Sequence, residues 1–259
     1  STNRYETSFG VKLSTDINNP TLVKLRDMRL RYMLEEMKKS EATKLQLASE
    51  YASVANYWKF FDGETKQLLK YDVYGQKKKT EEDFSTWAKG KAEYENLFSE
   101  YEKAYEAWRP YAKHRMFINE GIYGCRLIQT ASGWQRLQTL LMQRDYKPED
   151  LQKAIEAADQ ARKQYHENYN MEAEENILAS AVMLFLTDVD VSQHPKGFYD
   201  NLFRKYSSID QSPFRAYAAD VFANTMMNDD GKWEAFKQKP TIDALMNDPA
   251  YQAVLAFIK

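Results

Sequence analysis

In the stretch SVANYWKFFDGE, residues 53–64, Asn56 stands among four aromatic residues, Tyr57, Trp58, Phe60 and Phe61, beside an acidic pair around a glycine. A helix that only packs into a core needs the aromatic side chains and not the amide. An asparagine in such a place can be buried, with its hydrogen bonds returned to backbone. It can also offer its oxygen to a small polar group such as an ammonium, accepting hydrogen bonds without adding net charge. The residues by themselves leave both roles open for Asn56.

The other groups able to do chemistry are scattered. Glu172, Glu174 and Glu175 in NMEAEEN are three carboxylates within four positions, but no Glu-x-x-His pair accompanies them as the carboxylate-bridged metal bundles require. Their expected role is a solvated first helical turn, where negative charge is favoured. His114, His166 and His194 are isolated in the sequence and read as surface or boundary residues. Ser132, in ASGW, has no glycine-rich elbow and no neighbouring His or Asp to activate it. Cys125 is the single cysteine, so it forms no internal disulfide and joins no Cys/His set at zinc spacing. The expectation is a chain with no catalytic residue, no metal site and no cofactor of its own.

The elements that must position Asn56 are helical by composition. Only 9 glycines and 7 prolines occur in 259 residues, while helix formers are plentiful, which predicts an all-α fold. At 43% hydrophobic and 29% charged, the chain can bury a sizeable core. Lys and Arg (36) nearly balance Asp and Glu (38), leaving a net charge of −2 and no electrostatic case for nucleic acid or an anionic membrane as partner. No apolar run approaches the roughly 20 residues of a membrane span, and the first residues lack the regions of a signal peptide. These features predict either a cytosolic protein or an internal piece of a longer one.

Along the chain, RYETSFGVKLS alternates polar and apolar residues and predicts a strand-like lead-in over residues 1–19. Asn18 or Asn19 with Pro20 predicts a helix start, and Leu22, Leu25, Met28, Met33 and Met37 approximate its apolar stripe. A break is expected near Ser40 and a stop at Asp62–Gly63. The stripe Phe84, Trp87, Tyr94, Leu97, Phe98, Tyr101, Tyr105 and Trp108 predicts one long helix from about Glu81 to Trp108, packed on an antiparallel neighbour. Pro110 marks a boundary or kink, Pro148 a helix start, and NMEAEENILASAVMLFLTDV a central apolar helix. Shorter helices follow past Pro195. Residues 20–259 thus predict an irregular multi-helix bundle with one long helix.

The segments STNRY at Ser1–Tyr5, SFGVK, the Met- and Arg-rich helix after them, and NYWK at Asn56–Lys59 together resemble the dipeptidyl-peptidase 7 and 11 family of bacterial exopeptidases. Those are serine enzymes of chymotrypsin fold with a large helical domain inserted in the peptidase sequence, and the resemblance to that inserted domain spans nearly the whole chain. It implies that the catalytic His and Asp precede this region and the Ser follows it, so that this chain is a cap domain without a triad. It also implies that Asn56 binds the free N-terminal amine of a peptide substrate. The further implications are a missing peptidase domain as partner, a homodimeric parent, and a periplasmic or cell-surface location. The competing expectation is a self-contained helical interaction or scaffold protein in which Asn56 and the aromatics are ordinary core.

Overall fold

The computed structural model describes residues 7–207 and 211–257. Every regular element among them is helical, in agreement with the all-α expectation. In chain order the α-helices are α1 (Ser8–Leu13), α2 (Asn19–Met37), α3 (Glu41–Lys70), α4 (Val73–Ala88), α5 (Leu97–Met116), α6 (Arg126–Ser132) and α7 (Gln135–Met142). They continue with α8 (Pro148–Asn168), α9 (Met171–Asp188), α10 (Phe198–Tyr206), α11 (Pro213–Asn224), α12 (Asp230–Gln238), α13 (Ile242–Met246) and α14 (Pro249–Phe257). Two π-helical turns interrupt the series, Ser14–Asn18 before α2 and Phe117–Ile122 after α5.

The core is built around α9, where Ile177, Leu178, Ala181, Val182 and Phe185 are all at or below 1% exposure. A helix apolar on most sides must be wrapped by others, and α2, α11 and the second π turn pack on it. Trp134 and Trp233 stack with ring centres 5.8 Å apart, and Tyr251 leans against Trp134 at 6.1 Å. This joins α12 and α14 to the α6–α7 corner. A smaller cluster of Met33, Leu47 and Val54 pins α3 along α2, and Val11, Leu68 and Val73 hold α1 against the α3–α4 corner.

Several expectations are borne out locally. Pro20 lies in the first turn of α2, and Ser40 caps α3 by accepting a hydrogen bond from the Thr43 N–H at 3.0 Å. Pro148 begins α8, and the apolar segment expected to be central is α9.

Three expectations are corrected. The strand-like lead-in is helical wherever it is described: Thr7 caps α1, the π turn Ser14–Asn18 follows, and the alternation in SFGVKLS serves a short helix with Ser8, Val11 and Leu13 buried. Residues 1–6, including STNRY, lie outside the described residues.

The second correction concerns the stop at Asp62–Gly63. Helix α3 runs through both residues for 30 residues in all and reverses only at Asp72. That residue adopts a left-handed backbone (φ 45°) and accepts the Gly75 N–H on its carboxylate at 3.0 Å. A lone Gly within a long helical run weakens it without ending it.

Third, the aromatic stripe from Glu81 to Trp108 is not one long helix. The chain turns back after Ala88 through Gly90 (φ 75°), so the long helix is α3. The stripe is divided between α4, the turn after it and α5: Phe84 of α4 meets Phe98 of α5 at 5.6 Å, and Trp87 of α4 meets Tyr94 of the turn at 5.6 Å. Phe9 of α1 stacks on Tyr101 and Tyr105. Of the two places expected for Pro110, a boundary or a kink within a helix, the boundary is excluded, since Pro110 lies inside α5.

Gly63 offers a direct test of the uninterrupted α3. A Cβ added there meets nothing within 4 Å, so Gly63→Ala gains helix propensity without a clash. It is expected to raise stability by about 0.5–1 kcal/mol, read as a higher urea midpoint at unchanged slope. A loss of stability would show that this position needs glycine's freedom.

Candidate functional site

Asn56 sits midway along α3, between a capped start and the reversal at Asp72. Its own burial differs from the core alternative: Asn56 is exposed, as are Ala52, Ser53, Tyr57, Lys59 and Phe60 around it. Tyr57 and Phe60 are 57% and 47% exposed. The amide has no hydrogen-bond partner among the described residues, and so is available to a ligand. The rigid backbone beneath it fixes where the side chain can reach, because Val54 and Leu47 on the opposite face lock α3 to Met33 of α2.

Behind this face is an ionic network that the sequence reading did not find. The Arg26 guanidinium lies over the rings of Tyr57 (5.3 Å) and Phe61 (4.9 Å) and donates to Glu120 Oε1 at 2.5 Å. One turn on, Arg29 donates to Glu50 Oε1 at 2.7 Å and reaches Glu120 Oε2 at 3.4 Å. Arg126 closes on the same Glu50 oxygen from Nε (3.0 Å) and Nη2 (2.5 Å). Its backbone N–H donates to the carboxylate of Glu174. Three arginines and three carboxylates therefore tie α2, α3, the second π turn, α6 and α9 together. The site-bearing helix is held by charge as well as by the small Met33 cluster. An arginine pair at i, i+3 within the apolar stripe of KLRDMRLRYM was the available signal, since burying such residues requires partners.

Burial pushes the Arg29 guanidinium down from its ordinary value, against the pull of Glu50, Glu174 and Glu120. For Arg126, burial works in the same direction, but Glu50 more than offsets it and the net shift is upward. Glu174 is raised to about 7 by burial, with the Arg126 N–H and Arg29 opposing. The expectation of a solvated acidic first turn is thus corrected for Glu174, which is 3% exposed and caps the start of α6; Glu172 is exposed as expected.

The remaining sequence candidates take structural places. His166 and His194 bond the carbonyls of Met227 (2.8 Å) and Val189 (2.9 Å) through Nε2. His114 packs edge-on against Phe185 and is lowered by burial. Ser132 returns its hydroxyl to the Gln129 carbonyl at 2.6 Å. Cys125 is fully buried, which raises its thiol well above its ordinary value. Among the described residues no group of three His, Cys, Asp or Glu is placed to hold a metal ion, and no helix is long and apolar enough to cross a membrane.

The whole chain, residues 1–259, matches the protein family described as Peptidase S46. It is 28% identical over 263 residues to the dipeptidyl-peptidase 7 of Capnocytophaga gingivalis, covering 99% of this chain and 35% of that protein. It is 29% identical over 227 residues to the Asp/Glu-specific dipeptidyl-peptidase of Flavobacterium psychrophilum, covering 83% of this chain and 32% of the other. The chain thus spans about a third of the length of these relatives. In three dimensions it is similar to the crystal structure of Porphyromonas endodontalis DPP11 in complex with the dipeptide Arg-Glu. The TM-score is 0.75 at 19% identity, over 98% of this chain and 36% of that one. That likeness establishes the fold.

Proposed function

The chain belongs to the peptidase S46 family, and on that premise we propose that it is the helical cap over the substrate cleft of a serine-type dipeptidyl-peptidase. The parent releases dipeptides from peptide N-termini, and this domain recognises the substrate's free amine through Asn56. The observation that carries the reading is an exposed, unpartnered amide on a helix clamped from behind by the pairs of Arg29 and Arg126 with Glu50. An enzyme that cuts two residues from a free terminus must bind an ammonium at that distance and close the cleft beyond it. A rigid helix presenting a neutral acceptor meets both requirements.

The hydrolytic residues belong, in this reading, to the two thirds of the parent that this chain does not span. That parent is a homodimer at the cell surface or in the periplasm, acting on peptides. A self-contained helical interaction protein would give Asn56 no such task.

The test compares the parent enzyme with the 259-residue chain, using fluorogenic dipeptidyl substrates with free and with acetylated N-termini. The parent is expected to turn over the free-amine substrates and to discriminate strongly against the acetylated ones, while the chain alone gives the rate of a buffer blank. Turnover by the chain alone, or equal rates on blocked and free substrates, would overturn the proposal.

A further inference from the structure

Both π-helical turns contribute residues to one cleft whose lining shares none with the Asn56 face. In the first, the Asn19 N–H reaches back to the Ser14 carbonyl; in the second, the Tyr123 N–H reaches the Ile118 carbonyl at 2.9 Å. Each is a five-residue step that widens the helix, a feature concentrated at functional sites. The backbone just past the second turn needs glycine at 124, where a Cβ would stand 2.1 Å from the Glu120 carbonyl oxygen.

It is a cavity of about 250 Å³ lined by Asn18 of the first turn, Trp108 and Arg115 of α5, and Asn119 and Glu120 of the second turn, with Leu22, Ala112 and Met116 as its apolar part. Its polar groups are unequally engaged. Glu120 is neutralised from behind by Arg26 and Arg29. The Arg115 guanidinium is exposed and has neither ion pair nor hydrogen bond among the described residues. Asn119 is exposed and likewise unpartnered. The Asn18 amide oxygen is buried with no donor, and Asn18 gives no side-chain cap to α2. Trp108 is 43% exposed. The cleft therefore presents a free guanidinium, one exposed free amide at Asn119 and an indole face, with the buried, donor-less amide oxygen of Asn18 in its wall, while its one carboxylate is already matched.

We propose that this cleft binds the carboxylate of a short peptide, with Arg115 gripping the carboxylate, Asn18 and Asn119 pairing with peptide N–H and C=O groups, and Trp108 covering the backbone. A guanidinium is the group that meets a carboxylate with two parallel hydrogen bonds, and the volume fits one or two residues rather than a folded partner. A cation in the last turn of α5 is also favoured by the helix dipole, but that role involves neither the indole nor the two amides. The carboxylate can be a C-terminus or an acidic side chain, chemistry shared by both. This site is independent of the amine reading at Asn56.

The probes are the tripeptide Gly-Ala-Asp, its C-terminal amide, Gly-Ala-Asn-amide, and N-acetyl-Gly-Ala-Asp, titrated into the 259-residue chain by calorimetry and by tryptophan fluorescence. Gly-Ala-Asp is expected to bind saturably in the submillimolar range and to change the fluorescence. N-acetylation should leave its affinity unchanged, which separates this cleft from an amine site. Arg115→Gln is expected to weaken binding at least tenfold, and Arg115→Lys, which keeps the charge and loses the fork, several-fold. Retained binding of the C-terminal amide identifies the acidic side chain as the ligand; its loss identifies the C-terminus. Gly-Ala-Asn-amide should not bind. Because Arg115 is exposed and unpaired, circular dichroism should show both variants folded; Asn119→Ala, also exposed, supplies a second reading of weakened binding. No saturable binding to the unsubstituted chain, binding indifferent to the carboxylate, or affinity unchanged in Arg115→Gln and Asn119→Ala would overturn the proposal.

Discussion

Asn56→Ala in the intact parent enzyme is expected to lower kcat/KM for free-amine dipeptidyl substrates about ten- to hundredfold while leaving the fold intact. The expectation follows from the exposure of Asn56 and from its lack of a protein partner. Removing it strands no buried group, so the cost falls on the substrate. One hydrogen bond to a charged group contributes roughly 1.5–3 kcal/mol, which converts to that range of rate. Acetylated substrates, having no ammonium to lose, should be poor at the outset and change far less. Asn56→Asp separates geometry from charge: it keeps the acceptor and adds a negative charge, and should preserve binding of the amine. Should Asn56→Ala instead lower the melting temperature and leave kcat/KM alone, the amide is structural and the assignment fails.

The second large effect concerns stability against pH. Because burial raises the folded-state carboxyl of Glu174 to about 7, above the roughly 4.3 of an unfolded glutamate, the folded chain binds the proton more tightly. The contribution of Glu174 is therefore fully present below the unfolded value and is lost as pH rises toward 7, levelling off above it. A difference of this size corresponds to about 3–4 kcal/mol between pH 4 and pH 8. Burial also lowers His114 and raises Asp248, and both shifts add to the pH dependence of stability. The comparison must therefore be with a variant that removes only this carboxyl.

Glu174→Gln keeps an amide oxygen for the Arg126 N–H and cannot ionise. Urea unfolding from pH 4 to pH 8 should show a stability loss in the unsubstituted chain that exceeds the variant's by about that amount. Parallel curves for the two would show that Glu174 does not titrate in this range. Since the same carboxylate faces Arg126, which grips Glu50 of α3, this titration bears on how firmly the Asn56 helix is held.

What could be read without coordinates was what depends on short stretches. Helix content follows from the shortage of glycine and proline. The start of α2 at Asn19–Pro20, the break at Ser40, the start of α8 at Pro148 and the central place of α9 were each written in a few consecutive residues, because caps and apolar runs act over one or two turns. Asn56 stood out because an amide among aromatics is locally unusual. The NYWK resemblance then supplied a role that the residues alone had left open.

Tertiary structure decided whatever depended on which residues meet. Gly63 and Gly90 are both single glycines in polar surroundings, yet α3 continues through one and the chain turns back at the other. The difference is that Met33, Leu47 and Val54 pin α3 to α2, while the α4–α5 rings gain contact only after folding back on one another. Glu174 looked like a solvated first-turn acid and is buried, because its environment is set by Arg126, 48 positions away, and by Arg29. Asn18, Trp108 and Arg115 carry no common motif, and the two π turns bring them to one cleft. Local propensity is a property of neighbouring residues, whereas desolvation and charge pairing belong to groups distant in sequence; the first could be read from the chain, and the second exists only once the chain has folded.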